Sequence, residues 1–519
     1  MPHPTIRIDT GLVTGVDSAD GKSRSFLGIP YAAPPVGPLL WRPPQPAPAW
    51  EGVRNCDRYG SAPIQHAQHP QSIMRQFSFD APPECGTSED CLYLNVWAPA
   101  ASLLKAASNP APVIVSIYGG GHRGGSGSHA VSRGDHLTAK GAVVVTFNYR
   151  VGAMGYLAHP ELTKESALLG ETVASGNYAC LDVIAALEWV RRNIAAFGGD
   201  TDCVTLFGQS AGAALANVLM ASPLATELFQ RVIVHSSGRF RCGPIGAPLK
   251  RLAEAETASA AMAKALGATT LDALRALPPD AIEAPRGFWG PIIDGDVLRE
   301  PVHTVFARGE QIDVPVLAGY TRDDATPFAN PELHSRVKFE AFAKATYGAD
   351  AERFLALYPC ADDASAVAAS YAWRRDTAFA YQPWKFASLH AATARSPVYL
   401  FNFKQAPPFS ELKDPPFHEP MPPAGVGAHH GSELWYVFNN LAQAPCQARE
   451  SDEKLADAMG STWLAFARSG NPNVGVLPHW PNFRDGRQAM HLGEICRVNH
   501  PFNAPALAFF DQQFSALKP

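Results

Sequence analysis

The sequence predicts an α/β fold in which helices flank a mostly parallel central sheet. Two observations support this fold class. Six short runs rich in valine and isoleucine are typical of buried strands, and a helical stretch from Tyr178 to about Ala195 separates two of the early runs. Strands that alternate with helices favour parallel pairing. The six runs occupy 113–118, 143–148, 204–207, 232–235, 314–318 and 398–403.

The segment Gly208-Gln209-Ser210-Ala211-Gly212 joins the third of these runs to a stretch of good helix formers. Glycine two residues before and after the serine allows a sharp turn, because a Cβ there would collide with the neighbouring element. The turn exposes the Ser210 hydroxyl as a nucleophile and directs the N–H of Ala211 toward a developing oxyanion. The alternative is a small-residue turn that only packs a helix against a strand.

A glycine-rich loop, Gly119-Gly120-Gly121, follows the first run. Glycine lets only backbone approach a ligand closely, and bare N–H groups form a natural oxyanion hole together with the Ala211 N–H. A phosphate-binding loop is the alternative. No Gly-Lys-Ser/Thr sequence follows the loop, so nucleotide binding is disfavoured.

Acid and histidine candidates follow downstream. Asp323 and Asp324 come after the run at 314–318, and His429 and His430 come later, directly before Gly431. A nucleophile, an acid and a histidine in this chain order, behind a glycine-rich loop, are typical of α/β-hydrolases. No third ligand lies at a recognisable spacing from the paired histidines, so we predict no metal site.

The sequence resembles the type-B carboxylesterases, the carboxylesterase/cholinesterase group of α/β-hydrolases, including bacterial carboxylesterases and p-nitrobenzyl esterases. The likeness extends from about Gly11 to Trp480. The segments that carry it are FLGIPYA at 26–32, SEDCLYLNV at 88–96, NYR at 148–150, the stretch 188–200 and SGNPN at 469–473.

The resemblance implies a role for each of the main site residues. It implies Ser210 as nucleophile and His430 as general base and acid. The family usually reads Asp-Glu-Gly where this chain reads Asp323-Asp324-Ala325. By register Asp324 is the triad acid, with Asp323 as the fallback. The implied oxyanion donors are the backbone groups of Gly120, Gly121 and Ala211.

Several departures from the family pattern affect the expected pocket. Gln209 stands where the family usually has glutamate, and His122 with Arg123 follows the glycines where an aromatic residue is usual. We expect these three residues and His429 to line the substrate pocket. One hypothesis is that the pocket accepts an anionic or strongly polar group. The alternative is that Arg123 only pairs with a surface carboxylate.

Choline esters are improbable substrates. The tryptophan that stacks on quaternary ammonium in cholinesterases lies shortly before the Glu-Asp-Cys motif, and here no tryptophan lies between Gln65 and Glu89. Cation–π capture favours tryptophan most.

Alanine-rich helical stretches interrupt the strand and helix alternation at 250–266, 331–357 and 364–394. We interpret them as two helical cap excursions over the pocket, at approximately 240–312 and 326–395. Large α/β enzymes often form one domain. We therefore predict a single catalytic α/β-hydrolase domain over 1–519.

The family resemblance also implies two structural ion pairs, Arg42 with Glu89 and Arg150 with Asp182. The chain has nine cysteines. An odd number leaves at least one unpaired in a monomer, and a reducing cytoplasm is the simpler interpretation. A bridge between Cys85 and Cys91 stays an alternative.

Composition restricts the class of partner. A net charge of −5 gives no reason to expect nucleic acid or an anionic membrane. The first residues lack the basic start and apolar core of a signal peptide, and no run is long enough to span a bilayer. We expect a cytoplasmic enzyme, a monomer or homodimer, that needs no cofactor and binds a small-molecule ester.

The predicted reaction is hydrolysis of small to medium carboxylic esters through an acyl-enzyme. Hydrolysis of carbamates or aryl amides by the same triad is an alternative. A more distant one is a binding protein of this fold without catalysis, which retention of Ser210 and His430 disfavours.

Overall fold

The computed structural model of the chain describes residues 5–76, 82–100, 110–171, 174–240, 248–283, 289–328, 330–408, 417–422, 424–444 and 447–515. The strands in these residues are β1 (Thr5–Ile8), β2 (Gly11–Thr14), β3 (Val16–Asp17), β4 (Ser23–Pro30), β5 (Val53–Asn55), β6 (Ala62–Pro63), β7 (Thr87–Ser88), β8 (Tyr93–Pro99), β9 (Ala111–Ile117), β10 (Val143–Phe147), β11 (Gly199–Gln209), β12 (Arg231–His235), β13 (Val316–Thr321), β14 (Val398–Phe403), β15 (Ala489–Leu492) and β16 (Arg497–Asn499).

Helices separate most of the central strands. They are α1 (Ile73–Gln76), α2 (Asp135–Ala139), α3 (Gly152–Tyr156), α4 (Pro160–Leu169), α5 (Tyr178–Asn193), α6 (Ala211–Met220), α7 (Leu252–Ala265), α8 (Leu271–Arg275), α9 (Pro279–Glu283), α10 (Val302–Arg308), α11 (Arg336–Tyr347), α12 (Ala351–Leu357), α13 (Asp363–Arg375), α14 (Tyr381–Thr393), α15 (Leu434–Val437), α16 (Glu450–Ser469) and α17 (Ala504–Ser515). A π-helical turn, Asp376–Ala380, joins α13 to α14.

Within the described residues, the main sheet has eleven strands in the spatial order β3-β4-β8-β10-β9-β11-β12-β13-β14-β15-β16. Pairing is parallel from β10 through β15 and antiparallel toward both edges. The predicted α/β fold with a mostly parallel sheet is therefore confirmed. The six predicted runs correspond to β9 through β14. The run predicted from Val314 becomes strand only at Val316, and Pro315 between them has no N–H to donate.

The sheet buries apolar side chains on both faces, as strands covered by helices must. Along β11, Leu206 belongs to a core cluster that contains residues of α5 and α6, whereas Phe207 belongs to a cluster that contains Trp463 of α16. Alternate residues of a strand point to opposite faces. The continuous apolar run of β11 therefore serves two cores and holds the end of this strand rigidly.

Two long connections follow β12 in the chain, one before β13 and one after it. The first insertion, 236–315, carries α7 through α10, and the second insertion, 322–397, carries α11 through α14. Helices were predicted in both regions. Positions 241–247, 284–288 and 329 of the predicted cap excursions lie outside the described residues.

One predicted ion pair is confirmed and the other is wrong. The Arg150 guanidinium donates to both carboxylate oxygens of Asp182, at 2.6 and 2.9 Å, and both side chains are buried. Arg42 pairs with Glu171 and not with Glu89, with Arg42 Nε 3.1 Å from Glu171 Oε1. The carboxylate that reaches Arg42 comes from just after α4, a long-range contact that sequence spacing could not identify.

Cys85 and Cys91 are both buried free thiols, so the alternative of a bridge between them is not present. None of the helices within the described ranges has the length and apolar character that crossing a bilayer would require.

Candidate active site

Ser210 lies at the junction of β11 and α6 in a strained backbone conformation. Its φ of 55° and ψ of −123° fall outside the regions that residues with a Cβ normally adopt. A Cβ at Gly208 would collide with the carbonyl of Gly212, and a Cβ at Gly212 would collide with the carbonyl of Ile117. Glycine at these two positions therefore permits the turn that the sequence predicted.

The glycine-rich loop after β9 packs directly on this turn. Gly120 and Gly121 have φ values of 125° and 63°, a region that favours glycine. A Cβ at Gly119 would lie 2.6 Å from Gln209 Oε1 and 2.8 Å from Ser210 Cβ. Ala211 is the first residue of α6, and N–H groups of a first helical turn have no partner within the helix. The loop and the start of α6 thus surround the serine with backbone.

His430 is bound to Asp324. His430 Nδ1 lies 2.6 Å from Asp324 Oδ1, and both side chains are buried. The second oxygen, Oδ2, accepts hydrogen bonds from Ser236 Oγ at 2.7 Å and from the backbone N–H of Thr321 at 2.9 Å. Both oxygens of the carboxylate are therefore held in place, and Oδ1 is positioned to accept the hydrogen bond from His430 Nδ1–H.

Asp323 points elsewhere. Its carboxylate pairs with the Arg322 guanidinium at 2.9 Å and accepts the backbone N–H of Ala428 at 2.8 Å. The backbone N–H of Asp323 also donates to the carbonyl of Ala428. Asp323 therefore fastens the loop that carries His430, while Asp324 contacts the imidazole itself.

Besides Asp324, the side chains of Phe328, Phe379 and Gln209 lie next to the imidazole of His430. The rings of Phe328 and Phe379 lie 5.1 and 4.7 Å from it, centroid to centroid. Gln209 Nε2 lies 3.1 Å from His430 Nε2. Since Nδ1 carries the proton donated to Asp324, Nε2 has a free lone pair that accepts from the Gln209 amide.

An open cavity of about 930 Å³ reaches these residues. Its lining includes the backbone of the glycine-rich loop and side chains from both insertions. Residues of its lining include Gly119, Gly120, Gly121, Gln209, Ser210, Ala211, His430, Trp289, Phe328 and Phe379. The structure thus brings the predicted nucleophile, histidine and oxyanion-loop residues to one cavity.

Of the four predicted pocket residues, Gln209, His122 and Arg123 line the cavity. Arg123 is exposed, and His122 is buried. His429 is buried and its Nδ1 faces the Gly427 carbonyl at 3.3 Å. Burial lowers the pKa of His429 to about 4. His429 is therefore held away from the cavity and is not among the described residues that line it.

A second buried histidine and carboxylate lie beside the first pair. His235, the last residue of β12, has Nδ1 3.0 Å from Glu433 Oε1, and its Nε2 accepts from Trp463 Nε1–H at 3.2 Å. Burial lowers the pKa of His235 to about 3. The imidazole is therefore neutral, and Nδ1–H is the donor to Glu433.

Sequence reasoning missed several residues of this region. Glu433 follows His430 by three positions, a spacing at which a short helical turn would have placed it nearby. Ser236 follows a predicted strand, where site residues of parallel sheets concentrate. The cavity arginines Arg239 and Arg374 had no such signal, because they lie in the insertions.

Within the described ranges, no group of three or more histidine, cysteine, aspartate or glutamate side chains is arranged to hold a metal ion.

Comparisons with known proteins cover the whole of this architecture. The sequence model of the carboxylesterase family matches residues 2–510. Fumonisin B1 esterase of Sphingopyxis macrogoltabida is 36% identical over 498 residues, which cover 92% of this chain and 85% of that protein. The para-nitrobenzyl esterase of Bacillus subtilis strain 168 is 32% identical over 529 residues, covering 96% and 97% of the two chains.

Solved structures agree with the sequence matches. A structure of a PNB esterase superposes with a TM-score of 0.77 and 29% identity, over 99% of this chain and 100% of its own. The match in fold and the match in sequence both extend over nearly the full length. We conclude that this chain has the α/β-hydrolase fold, is a carboxylester hydrolase and belongs to the carboxylesterase family.

Proposed function

We propose that the chain hydrolyses small to medium carboxylic esters through an acyl-enzyme on Ser210, with His430 as general base and Asp324 as the acid that orients it. The observation that carries this proposal is the buried contact of 2.6 Å between His430 Nδ1 and Asp324 Oδ1, in a histidine that lines the same cavity as Ser210. The names of two relatives, a fumonisin B1 esterase and a para-nitrobenzyl esterase, support ester substrates.

In the first half of the reaction, Ser210 Oγ attacks the ester carbonyl carbon while His430 Nε2 takes its proton. The carbonyl oxygen becomes an oxyanion, which accepts hydrogen bonds from the backbone N–H groups of Gly120, Gly121 and Ala211. Each such donor is typically worth about 2.7 to 4 kcal/mol of transition-state stabilisation. The ester C–O bond then breaks, and the alcohol leaves with the proton from His430.

In the second half, water attacks the acyl-enzyme and gives a proton to His430 Nε2, and the carboxylic acid leaves as Ser210 Oγ regains that proton. In the resting site, the neutral Gln209 amide donates a hydrogen bond to the lone pair of His430 Nε2. Proton transfer therefore requires that the serine hydroxyl or the water replace this amide. Asp324 stabilises the imidazolium that forms in each half.

The two insertions act, in this proposal, as a cap on a single catalytic unit. Trp289 of the first insertion and Phe328 and Phe379 of the second line the cavity beside the catalytic serine. Ligand pockets are lined mainly by apolar side chains with a few polar groups. In this cavity such apolar side chains come from the insertions, so residues outside the sheet set the substrate range.

Glu433 adds a constraint on charge behind the site. Burial and, to a smaller extent, the negative charge of Asp324 raise the pKa of Glu433 from its ordinary value of 4.5 to about 8. Its Oε2 has no hydrogen-bond partner among the described residues. A neutral Glu433 at neutral pH leaves Asp324 as the one charged carboxylate, among the described residues, in direct contact with His430.

Ser210→Ala should abolish hydrolysis of p-nitrophenyl esters from acetyl to decanoyl. In a comparable triad, loss of the nucleophile lowers turnover on the order of a millionfold. Release of p-nitrophenol by the wild type and the variant measures this, and the dependence on chain length reports the size of the acyl pocket. Matched p-nitroanilides test the alternative of amide hydrolysis. Equal activity of the two proteins would exclude Ser210 as the nucleophile.

Asp324→Asn should lower kcat on p-nitrophenyl acetate by roughly 10⁴-fold, because the amide no longer stabilises the imidazolium and favours the wrong tautomer. Asp323→Asn is the matched control. It weakens a loop contact but leaves the partner of His430 Nδ1 in place, so most activity should remain. The opposite order of effects would assign the acid to Asp323.

The free energy of unfolding of Glu433→Gln, measured relative to that of the wild type, should increase as pH rises. The folded-state pKa of Glu433 is raised, so its contribution to stability is complete below the unfolded pKa and is lost as pH rises toward 8. Between pH 5 and pH 8 the difference in free energy of unfolding should grow by on the order of a few kcal/mol. Urea denaturation at several pH values measures it, with the exposed Glu494→Gln as the control. A constant difference would show that Glu433 is ionised in the folded protein.

A further inference from the structure

The cavity that contains Ser210 has an excess of arginine. Among the described residues of its lining, Arg123, Arg239 and Arg374 face a single carboxylate, that of Glu419. Glu419 is already engaged, since it accepts hydrogen bonds from Ser72 Oγ at 2.6 Å and from the Ile73 backbone N–H at 2.9 Å. The chain as a whole is negatively charged, at −5. The excess of arginine over carboxylate in the cavity lining is therefore local and does not reflect the net charge of the chain.

Arg374, in α13, is a cation that has no partner among the described residues. Its side chain makes no hydrogen bond or ion pair with any described residue, although it is partly buried. Burial lowers its pKa. The next residue, Arg375, shows the ordinary arrangement, because it pairs with Asp376 at 2.7 Å. Removing a charge from water without a compensating partner is unfavourable. A ligand with negative charge would remove that cost.

Arg239, four residues after β12, is fixed in place through a neutral group. Its guanidinium donates to His122 Nε2. His122 Nδ1–H in turn donates to the hydroxyl of Tyr156 at 2.8 Å, because an arginine can only donate and Nε2 must therefore be the acceptor. Burial lowers the pKa of His122, and the Arg239 charge lowers it further. The imidazole is neutral, so this contact orients the guanidinium of Arg239 through a group that carries no charge.

We propose that the preferred substrates are esters that carry a free carboxylate, and that Arg374 and Arg239 bind this carboxylate while the ester carbonyl lies at Ser210. Guanidinium groups match the two oxygens of a carboxylate in geometry and stay charged at all working pH values. This inference rests on the proposed function and adds the chemical class of its substrate. It also changes the role expected for His122, which positions Arg239, while the exposed Arg123 is one further cation of the lining.

The volume of the cavity suits such a substrate. About 930 Å³ is near the upper end of sites for drug-sized ligands, so an acyl chain and a distant carboxylate fit together. Phe328 and Phe379 supply apolar surface beside His430. The cavity therefore combines an apolar wall near the reacting bond with cationic side chains for a remote anionic group.

The test compares two esters that differ in whether the distal carboxyl group is free or methylated, 4-nitrophenyl hydrogen adipate and methyl 4-nitrophenyl adipate. A second pair, 4-acetoxybenzoate and its methyl ester, places the carboxylate on the alcohol side. For each pair the measurement is the ratio of kcat/KM for the charged and neutral esters, after subtraction of hydrolysis without enzyme. We expect the wild type to favour the charged ester of at least one pair by about tenfold or more.

Arg374→Gln should lower that ratio by about 10- to 100-fold, chiefly through KM, because a hydrogen-bonded charge pair is lost. Arg374→Lys keeps the charge and should retain part of the preference. Arg191→Gln, on the exposed face of α5, removes the same charge outside the cavity and should leave the ratio unchanged. Circular dichroism and thermal unfolding establish that each variant is folded.

The inference is wrong if the wild type shows no preference within either pair, or if Arg374→Gln and Arg374→Lys change the ratio no more than Arg191→Gln does. In both cases hydrolysis of the neutral esters would leave the proposed function intact. If the wild type hydrolyses none of the four esters and equals Ser210→Ala, the proposed function fails and this inference fails with it.

Discussion

The close packing of backbone around Ser210 is the constraint on which the rest of the site depends. The end of β9, the glycine-rich loop and the start of α6 approach one another so closely that a Cβ at Gly212 or Gly119 would collide with its neighbours. This packing holds the serine in a conformation that costs of order 1 to 3 kcal/mol and that the surrounding sheet must maintain. A serine held in this way keeps a fixed position relative to the loop N–H groups. His430 lies on a separate loop that lines the same cavity.

Local patterns explain why the sheet and the nucleophile turn could be predicted. The apolar runs of β9 through β14 are buried on both faces, so their sequences are continuous and easy to recognise. Glycines at Gly208, Gly212 and Gly119 through Gly121 are demanded by backbone geometry and are visible without any partner. The pairing of Arg150 with Asp182 was implied by the resemblance to a family and not by spacing.

Contacts between distant segments could not be predicted in the same way. The partner of Arg42 is Glu171, and the choice between Asp323 and Asp324 at His430 depends on a one-residue difference in direction along a loop. Arg374, which has no partner among the residues that the structure describes, and Arg239 come from insertions whose helices were predicted but whose orientation was not. Glu433 and His235 have shifted pKa values chiefly because both are buried, which no local pattern reveals.

The proposed mechanism requires that Ser210 be the one activated nucleophile, and covalent labelling tests this requirement directly. The folded protein would be incubated with a fluorophosphonate, digested and analysed by tandem mass spectrometry, with esterase activity followed in parallel. We expect one adduct, on Ser210, that accumulates in proportion to the loss of activity. An adduct on another residue that tracks the loss of activity, or full activity after complete labelling of Ser210, would contradict it.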